Sequence, residues 1–599
     1  MGKTKFRLSQ VQITGMCRYT IQQCQTTMGK IPNYSLIIYL VLLSFTAHGQ
    51  DNGNFGSGIR PSDKPLPAPI APPLKPGIAI PPQLQEKQST QDQTRNEQKI
   101  IELDTIIFEG NTIFPNEELN TLAKPYLNKP VSVDELEELR RSITYHYINK
   151  GYITSGAIFP PDPIQGKTLR MKIVEGKIGE MRVEGEGWLR RSYIENRLIP
   201  NKNTPLNMTE LQDRFRFLLT DPLFERLNGR LLPGTDRGLS ILDLEVTRSR
   251  TYQFSAISDN YRAPSVGAIA LGANTWIRNL TKQGDLIDFT FLTSAPSGGD
   301  AYQYSGNWLM PISDYGTRAY LSVNNTNVSI IEEPLTNINI KSKTFSVEGG
   351  LNQSLIDNLK RRLSFGAGIS YKDNETNLLG ESFSFIPGLL HGKNQISTVR
   401  INQEYIERRE KFVWAFRSTF SVGLNAFGST IQKNHLNPDS EYFSWLGQTR
   451  SLWNLPQIKS DFVFKGAVQI SDDPLLPLER MAVGGRHTVR GYRENQLVRD
   501  SGYAASTELH IHLVGDNQAK YRFDLVPFFD FGAAWNHTDS TLNKQTTQQL
   551  YSAGIGFQFR MHRFNSEFFW AHRLENKAVQ QHGDLQDQGI HFQARLDAF

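Results

Sequence analysis

The stretch Leu363-Ser364-Phe365-Gly366-Ala367-Gly368-Ile369-Ser370-Tyr371 decides the fold, because an apolar side chain occupies every second position and a small or polar one fills each gap. Successive side chains of a β-strand point to opposite faces, so such a strand has one apolar face and one small or polar face. The same alternation returns at residues 318–324 and 552–559. The pattern predicts a sheet with two different faces within residues 251–599.

Two kinds of protein contain such sheets. In a soluble sandwich the polar face lies outside, whereas in an outer-membrane barrel it lines a wet interior. Aromatic residues near the predicted strand ends, among them Trp308 and Trp414, are typical of the interfacial girdles of a barrel, and so is Phe599 after the alternating residues 590–596. At about 10 residues per tilted strand, residues 251–599 accommodate a membrane β-barrel of about 16 antiparallel strands.

Residues 1–49 have the composition of a secretory signal peptide. This segment contains five Lys or Arg residues, no acidic residue and the apolar run 36–45, which ends near small residues. Its basic part is long, and a start at Met28 would give a more ordinary leader. Beyond residue 47 no apolar run approaches the roughly 18 residues of a membrane helix, so the sequence excludes a helical membrane protein.

Charge and cysteine content restrict the chemistry of the mature chain. Both cysteines, Cys17 and Cys24, lie in the leader, so the mature chain has no disulfide framework and no cysteine nucleophile or metal ligand. The net charge of +5 minus the five leader cations leaves about zero. We therefore expect no nucleic acid as a partner.

The segment between the leader and the barrel has three parts. Residues 50–99 are rich in proline and then polar, which predicts an extended linker. Residues 100–178 predict strand, helix, helix and two strands, and Ser132 with Glu135 forms a capping box at the second helix. Residues 179–248 predict the same order again, so the chain carries two copies of one small α+β unit.

A pair of motifs marks the late part of the chain. Val489-Arg490-Gly491-Tyr492 follows Gly484-Gly485, and Phe529-Asp530-Phe531-Gly532 comes about 40 residues later in a predicted strand. The planar arginine guanidinium can bind a carboxylate through two hydrogen bonds in a space with little water, so Arg490 and Asp530 form a candidate internal contact. In the alternative interpretation Arg490 lies solvated in a glycine-rich turn and Asp530 ends a strand.

Taken in order, these segments resemble the TpsB outer-membrane transporters of two-partner secretion. The two α+β units each resemble a POTRA domain, the second through Leu232-Pro233-Gly234 and Gly238, and the barrel region resembles the family at residues 489–492 and at Asp530 and Gly532. In that family the arginine lies at the tip of an extracellular loop that folds into the pore and meets the aspartate of the barrel wall. The resemblance assigns those roles to Arg490 and Asp530, with Phe529 and Gly532 beside the aspartate.

The resemblance also implies a function. We expect an outer-membrane pore that recognises and exports a large, unfolded secreted partner of the TpsA type, with its POTRA-like units in the periplasm. Expected partners besides the exported protein are outer-membrane lipid and the barrel assembly machinery. We expect no cofactor and no nucleotide, since no phosphate-binding glycine loop with a lysine is present.

Three other functions fit parts of the sequence. An assembly insertase of the same superfamily would also have POTRA units, although usually more of them, and a passive porin would leave residues 100–248 without a purpose. A metal enzyme would use Glu508, His510 and His512, which alternate on one side of a predicted strand. Water-facing residues of a barrel strand alternate in the same way, so we expect neither catalytic residues nor a metal site.

Overall fold

The computed structural model describes residues 101–294, 301–332, 339–386, 388–389, 391–434, 437–515, 520–537, 547–575 and 583–598. The predicted signal peptide, the proline-rich linker and Phe599 lie outside these ranges. No helix among the described residues is both long and apolar enough to cross a bilayer.

The first unit is a small sheet covered by two helices. Its elements are β1 (Ile101–Glu102), β2 (Thr105–Glu109), α1 (Asn116–Ala123), a 3-10 helix (Lys124–Tyr126), β3 (Pro130–Val131), α2 (Val133–Asn149), β4 (Gly156–Ile158), β5 (Ile164–Gln165) and β6 (Thr168–Val174). β6 is central, parallel to β2 and antiparallel to β4 and β5. The predicted capping box is present at the start of α2, where the Ser132 hydroxyl accepts from the Glu135 N–H and the Glu135 carboxylate accepts from the Ser132 N–H.

The second unit repeats this topology. It contains β7 (Lys177–Glu184), α3 (Arg191–Leu198), α4 (Met208–Leu218), β8 (Phe224–Pro233) and β9 (Leu239–Arg248). β9 is central, parallel to β7 and antiparallel to β8, as β6 is to β2 and β4. Each unit has its own apolar core, because the buried faces of its helices pack on one face of its sheet. β7 begins at Lys177, two residues before the predicted boundary.

Most of the remaining described chain forms one closed antiparallel barrel. Its strands are β10 (Tyr252–Asp259), β11 (Ala270–Arg278), β12 (Leu286–Ser294), β13 (Tyr302–Pro311), β14 (Thr317–Ser329), β15 (Lys341–Asp357), β16 (Arg361–Leu378), the two-residue β17 (Glu381–Ser382), β18 (Lys393–Arg408), β19 (Phe412–Leu424), β20 (Phe443–Leu455), β21 (Ser460–Ser471), β24 (Ser501–Val514), β25 (Tyr521–Trp535), β26 (Gln548–Met561), β27 (Phe564–Arg573) and β28 (Ile590–Asp597). Three further 3-10 helices span Pro264–Val266, Pro456–Ile458 and Gln586–Gln588. Without β17, this is the predicted barrel of 16 strands.

The alternation of the sequence separates the two faces of the barrel. On β16, Phe365 and Ile369 lie on the outer face and are exposed, whereas Ser364 and Ser370 point inward and are buried. Not every aromatic residue near a strand end belongs to an outer girdle. Tyr442 is buried, and its hydroxyl contacts the Thr398 hydroxyl of β18 inside the barrel.

The connection between β21 and β24 folds into the barrel. Within residues 472–500, β22 (Met481–Val483) and β23 (Leu497–Arg499) pair antiparallel and form a hairpin, which we call the inner hairpin. Its apolar side chains pack against inward residues of β24, β25 and β26, including Ala504, Ala534 and Leu550. The inner hairpin therefore occupies the lumen rather than the solvent outside.

The second unit contacts the end of the barrel where the connections are short. The Asn196 amide of α3 donates to Asp314 in the turn between β13 and β14 at 2.6 Å. The Arg190 N–H donates to the Lys282 carbonyl in the turn between β11 and β12 at 3.0 Å. A Cβ on Gly284 would come within 2.6 Å of the Tyr193 ring, so the turn and α3 are in close contact.

Candidate functional site

The tip of the inner hairpin places Arg490 against β25. The Arg490 side chain is 1% exposed and that of Asp530 is fully buried. Arg490 Nε donates to Asp530 Oδ2 at 2.7 Å, Nη2 donates to Oδ1 at 2.7 Å, and the Arg490 backbone N–H donates to Oδ2 at 3.0 Å. This is the two-pronged arrangement in which arginine binds carboxylate most strongly. The solvated-turn alternative for Arg490 is wrong, because the guanidinium has no access to solvent.

Three other groups surround the Arg490 guanidinium. Nη2 donates to the Ser506 hydroxyl at 2.8 Å, and Nη1 lies 2.8 Å from Glu508 Oε1. The guanidinium carbon lies 3.5 Å from the centre of the Phe528 ring, so the cation also stacks on an aromatic face. A buried cation requires such compensation, because desolvation costs several kcal/mol per ion.

The small residues of the two motifs allow the hairpin to approach the wall. Gly491 has φ +91°, a backbone conformation that favours glycine, and its N–H donates to His591 Nε2 at 3.1 Å. A Cβ on Gly532 would lie 2.7 Å from the Val483 side chain and 3.1 Å from that of Val489. The flanking Tyr492 hydroxyl donates to the Tyr551 carbonyl at 3.0 Å. Residues 489–492 thus fix the position of the hairpin tip. The absence of a side chain at Gly532 leaves room for Val483 and Val489.

Phe529 does not belong to this contact. It precedes Asp530 on β25, so its side chain points to the opposite face, where it is 39% exposed on the outside of the barrel. The inward aromatic residue is its neighbour Phe528, which the motif did not single out. The expectation that Phe529 lies beside Asp530 holds for the backbone only.

Glu508 is the partner that sequence reasoning missed. Its carboxylate contacts Arg490, Lys465 Nζ at 2.9 Å and His510 Nε2 at 2.9 Å. His512 instead contacts Asp461 and Asp524. Within the described residues no group of three His, Cys, Asp or Glu side chains is arranged to hold a metal ion. Glu508, with His510 beside it, therefore belongs to the anchor of the hairpin, whereas His512 lies in a separate ion cluster.

Two further ion clusters hold the inner hairpin to other sectors of the wall. Before its first strand, Glu479 is 1% exposed and accepts from Arg400 Nη2 of β18 at 2.8 and 2.9 Å, with Lys372 Nζ of β16 at 2.9 Å. At its tip, Arg486 Nε and Nη2 donate to the Glu567 carboxylate of β27 at 3.0 and 2.8 Å. The hairpin is thus tied to the wall on several sides of the lumen.

The motif in the second unit lies at the end of an edge strand. Leu232 is 38% exposed and Pro233 is the last residue of β8. A Cβ on Gly234 would lie 2.7 Å from the Leu239 carbonyl, and Gly238 has φ +86° in the turn into β9. These residues shape the β8 to β9 turn. Among the described residues the far side of β8 pairs with no other strand.

Glu175 follows β6 in the first unit and is held by several hydrogen bonds. Its carboxylate accepts from the Thr112 and Ile113 N–H groups at 2.7 and 2.9 Å and from the Tyr147 hydroxyl at 3.0 Å. Burial by itself raises the pKa of the Glu175 carboxyl, but the hydrogen bonds from Thr112, Ile113 and Tyr147 outweigh it and hold the pKa below its ordinary value. Burial and the nearby Glu175 carboxylate raise the pKa of Tyr147.

Comparisons with known proteins agree with this architecture. Residues 101–176 match the ShlB-type POTRA domain. The heme/hemopexin transporter protein HuxB of Haemophilus influenzae is 23% identical over 474 residues, covering 76% of this chain and 80% of that protein. The hemolysin transporter protein HpmB of Proteus mirabilis is 22% identical over 423 residues, covering 66% of this chain and 70% of that protein.

The fold is also found in solved structures. CdiB from Escherichia coli superimposes with a TM-score of 0.65 at 17% identity and covers 85% of this chain and 93% of that one. BamA from Haemophilus ducreyi, without three of its POTRA domains, gives 0.51 at 14% identity, covering 83% of this chain and all of that one. Residues 238–559, more than half of the chain, match one family model. The chain belongs to the haemolysin secretion/activation protein family ShlB/FhaC/HecB.

Proposed function

We propose that this protein exports one large secreted partner protein in unfolded form. We also propose that export requires the inner hairpin in its anchored position. The observation that carries the proposal is the buried, two-pronged ion pair between Arg490 and Asp530 inside the closed barrel. A passive porin would leave the two α+β units at residues 101–248 without a purpose. As a member of its family the chain is an outer-membrane transporter, with its POTRA domain in the periplasm.

Capture of the partner begins at the second unit, which we assign as a second POTRA domain. Strand β8 is an edge strand, so its unpaired backbone groups can accept an extended segment as an additional strand. Main-chain hydrogen bonds supply the affinity in this mode, while side chains contribute little selectivity. The exposed Leu232 and the turn at Gly234 and Gly238 form the end of this edge.

Passage through the barrel follows from the lining of the lumen. The inward faces of the strands are small or polar, so an unfolded chain can move along them without a strongly apolar surface to hold it. Folding of the partner outside the cell then makes the transfer directional, with no nucleotide involved. The relatives HuxB and HpmB are named as transporters of heme/hemopexin and of hemolysin, and we propose that this chain likewise transports a secreted partner.

Other partners act during biogenesis. The outer face of the barrel carries exposed apolar side chains such as Phe345 and Ile401, which suit contact with outer-membrane lipid. The barrel assembly machinery inserts the chain into the membrane. Besides the exported protein, these are the partners we assign.

The test is co-expression of this protein with the large open reading frame next to its gene, followed by assay of the culture medium. We expect the partner in the medium only when this protein is present. We expect Arg490→Ala to reduce export, and Arg409→Ala is a suitable control, because Arg409 lies in the turn after β18 with 69% of its side chain exposed. If the partner reaches the medium without this protein, or if other barrel proteins fail to insert in its absence, export is not its function and an assembly role replaces it.

A further inference from the structure

Five arginines point into the lumen from neighbouring strands of one wall. They are Arg318 of β14, Arg362 of β16, Arg408 of β18, Arg417 of β19 and Arg450 of β20, and we call this set the arginine arc. The strand registers support their inward direction. Arg362 pairs with Ile406, and Arg450 pairs with Ala415, both of which are buried inward residues. Outward neighbours such as Phe365 and Phe416 alternate with them.

The arc lies in the half of the barrel that faces the second unit. Arg318 and Arg362 are the second residues of β14 and β16, and Arg408 is the last residue of β18, so all three lie beside the short turns. Arg318 is close enough to Tyr193 and Asp221 of the second unit to interact electrostatically with both. The arc therefore begins where the second unit meets the mouth of the barrel.

Positive charge exceeds negative charge in this layer of β14 to β20. The inward carboxylates of the layer are Asp357, which contacts Arg362 at 2.9 Å and Arg318 at 3.8 Å, and Glu404, which contacts Arg417 at 2.8 Å. Without counting Arg450, the four guanidinium groups of Arg318, Arg362, Arg408 and Arg417 minus two carboxylates leave a charge of +2 among these described residues. Arg362 also lies within electrostatic range of both Arg318 and Arg408, so like charges are crowded together.

All five arginines are half-buried rather than buried. The side chains of Arg318, Arg362 and Arg417 are 36%, 24% and 20% exposed, in contrast to 1% for Arg490. Higher in the same wall, Arg400 and Lys372 are buried against Glu479 and Glu348, so that cluster has equal numbers of both charges. The excess charge is thus concentrated where a chain from the second unit would enter.

We propose that the arginine arc binds carboxylate side chains of the polypeptide as it enters the lumen, an inference that rests on the proposed export function. Guanidinium groups pair with carboxylates in a two-pronged geometry, and each bound carboxylate relieves repulsion within the arc. Exposed ion pairs are weak, so successive groups bind and leave without trapping the chain. The arc therefore selects partner segments that carry acidic residues.

The experiment uses the full chain in detergent and fluorescent deca-aspartate and deca-lysine peptides as probes. Arg362→Gln/Arg408→Gln removes two inward charges. Arg361→Gln/Arg409→Gln removes two neighbouring charges, one at the start of β16 and one in the turn after β18, whose side chains are 57% and 69% exposed. We expect wild type to bind deca-aspartate in preference to deca-lysine, the inward variant to lose at least about fivefold in affinity and the control to stay within about twofold. Heat-modifiable migration verifies that each variant is folded.

Equal losses of affinity in the two variants, or no preference of wild type for the acidic peptide, would contradict carboxylate binding by the arginine arc. The peptide measurement does not require export, so it is separate from the secretion assay. Normal export without a preference for the acidic peptide contradicts only the claim that the arginine arc binds carboxylates. If export is absent but the peptides bind as expected, the proposed function is contradicted and the carboxylate-binding site stands.

Discussion

Arg490 donates three hydrogen bonds to Asp530, two from its guanidinium at 2.7 Å and one from its backbone N–H at 3.0 Å. One carboxylate thus fixes both the side chain and the backbone of the hairpin tip. Removing either partner of a buried ion pair costs about 3 to 5 kcal/mol, because a charge is left without compensation. Since the barrel itself is held by long strand pairings, this loss should release the hairpin and leave the barrel folded.

Gly532→Val should displace the inner hairpin. A Cβ at this position meets the Val483 side chain at 2.7 Å and the Tyr503 carbonyl at 2.9 Å, so the larger side chain and the seated hairpin exclude one another. Gly306→Val is the matched control, because a Cβ there has nothing within 4 Å. We expect faster hydrogen exchange over residues 481–499 in the first variant and no change in the control. Unchanged exchange in both variants would show that Gly532 does not set the position of the hairpin.

Glu479→Gln should loosen the other arm of the hairpin. The substitution keeps the shape but leaves Arg400 and Lys372 without the carboxylate that both contact, at a cost of about 3 kcal/mol or more for a buried site. The expected result is faster cleavage within residues 472–480 by an added protease and a lower melting temperature. Glu381→Gln, at an exposed position of β17, should alter neither measurement. Equal cleavage rates and equal melting temperatures of the two variants would show that Glu479 does not anchor the hairpin.

The first unit should lose stability in acid through Glu175. Its folded-state pKa lies below the unfolded value, so its contribution is present above the unfolded pKa and disappears as the pH falls through the folded pKa. Glu175→Gln should therefore increase hydrogen exchange over residues 105–114 at neutral pH, and the difference from wild type should shrink in acid. Glu117→Gln, at an exposed position of α1, serves as the control. A difference that is independent of pH would contradict a role for the ionised carboxylate.

The barrel could be predicted from sequence because the pattern that determines it extends over only a few neighbouring residues. Alternation with a period of two, as in residues 363–371, determines which face meets lipid, and the segment length then gives about 16 strands. The repeated α+β units were predictable for a similar reason, since the periodic face of α2 and its capping box are both encoded within a few residues.

The remaining anchors depend on register, which no local pattern specifies. Glu508 reaches Arg490 because β24 pairs with β25 so that Ser506 lies opposite Asp530. Inward periodicity on β24 marked Glu508 as water-facing, but it could not reveal the partner. Glu479 meets Arg400 only because the chain crosses the lumen after β21. The motif at residues 529–532 also does not say which of its side chains face the lumen, and Phe529 points outward.

The central claim is that export depends on the contact between Arg490 and Asp530, and a double-mutant cycle on secretion tests it most directly. Partner protein in the medium is measured for wild type, Arg490→Ala, Asp530→Ala and the double variant, with heat-modifiable protein in the outer membrane measured in each. We predict a large loss of secretion in both single variants, near-normal membrane levels, and a double variant no worse than either single one. Normal secretion by Arg490→Ala, or defects that simply add, would contradict the claim.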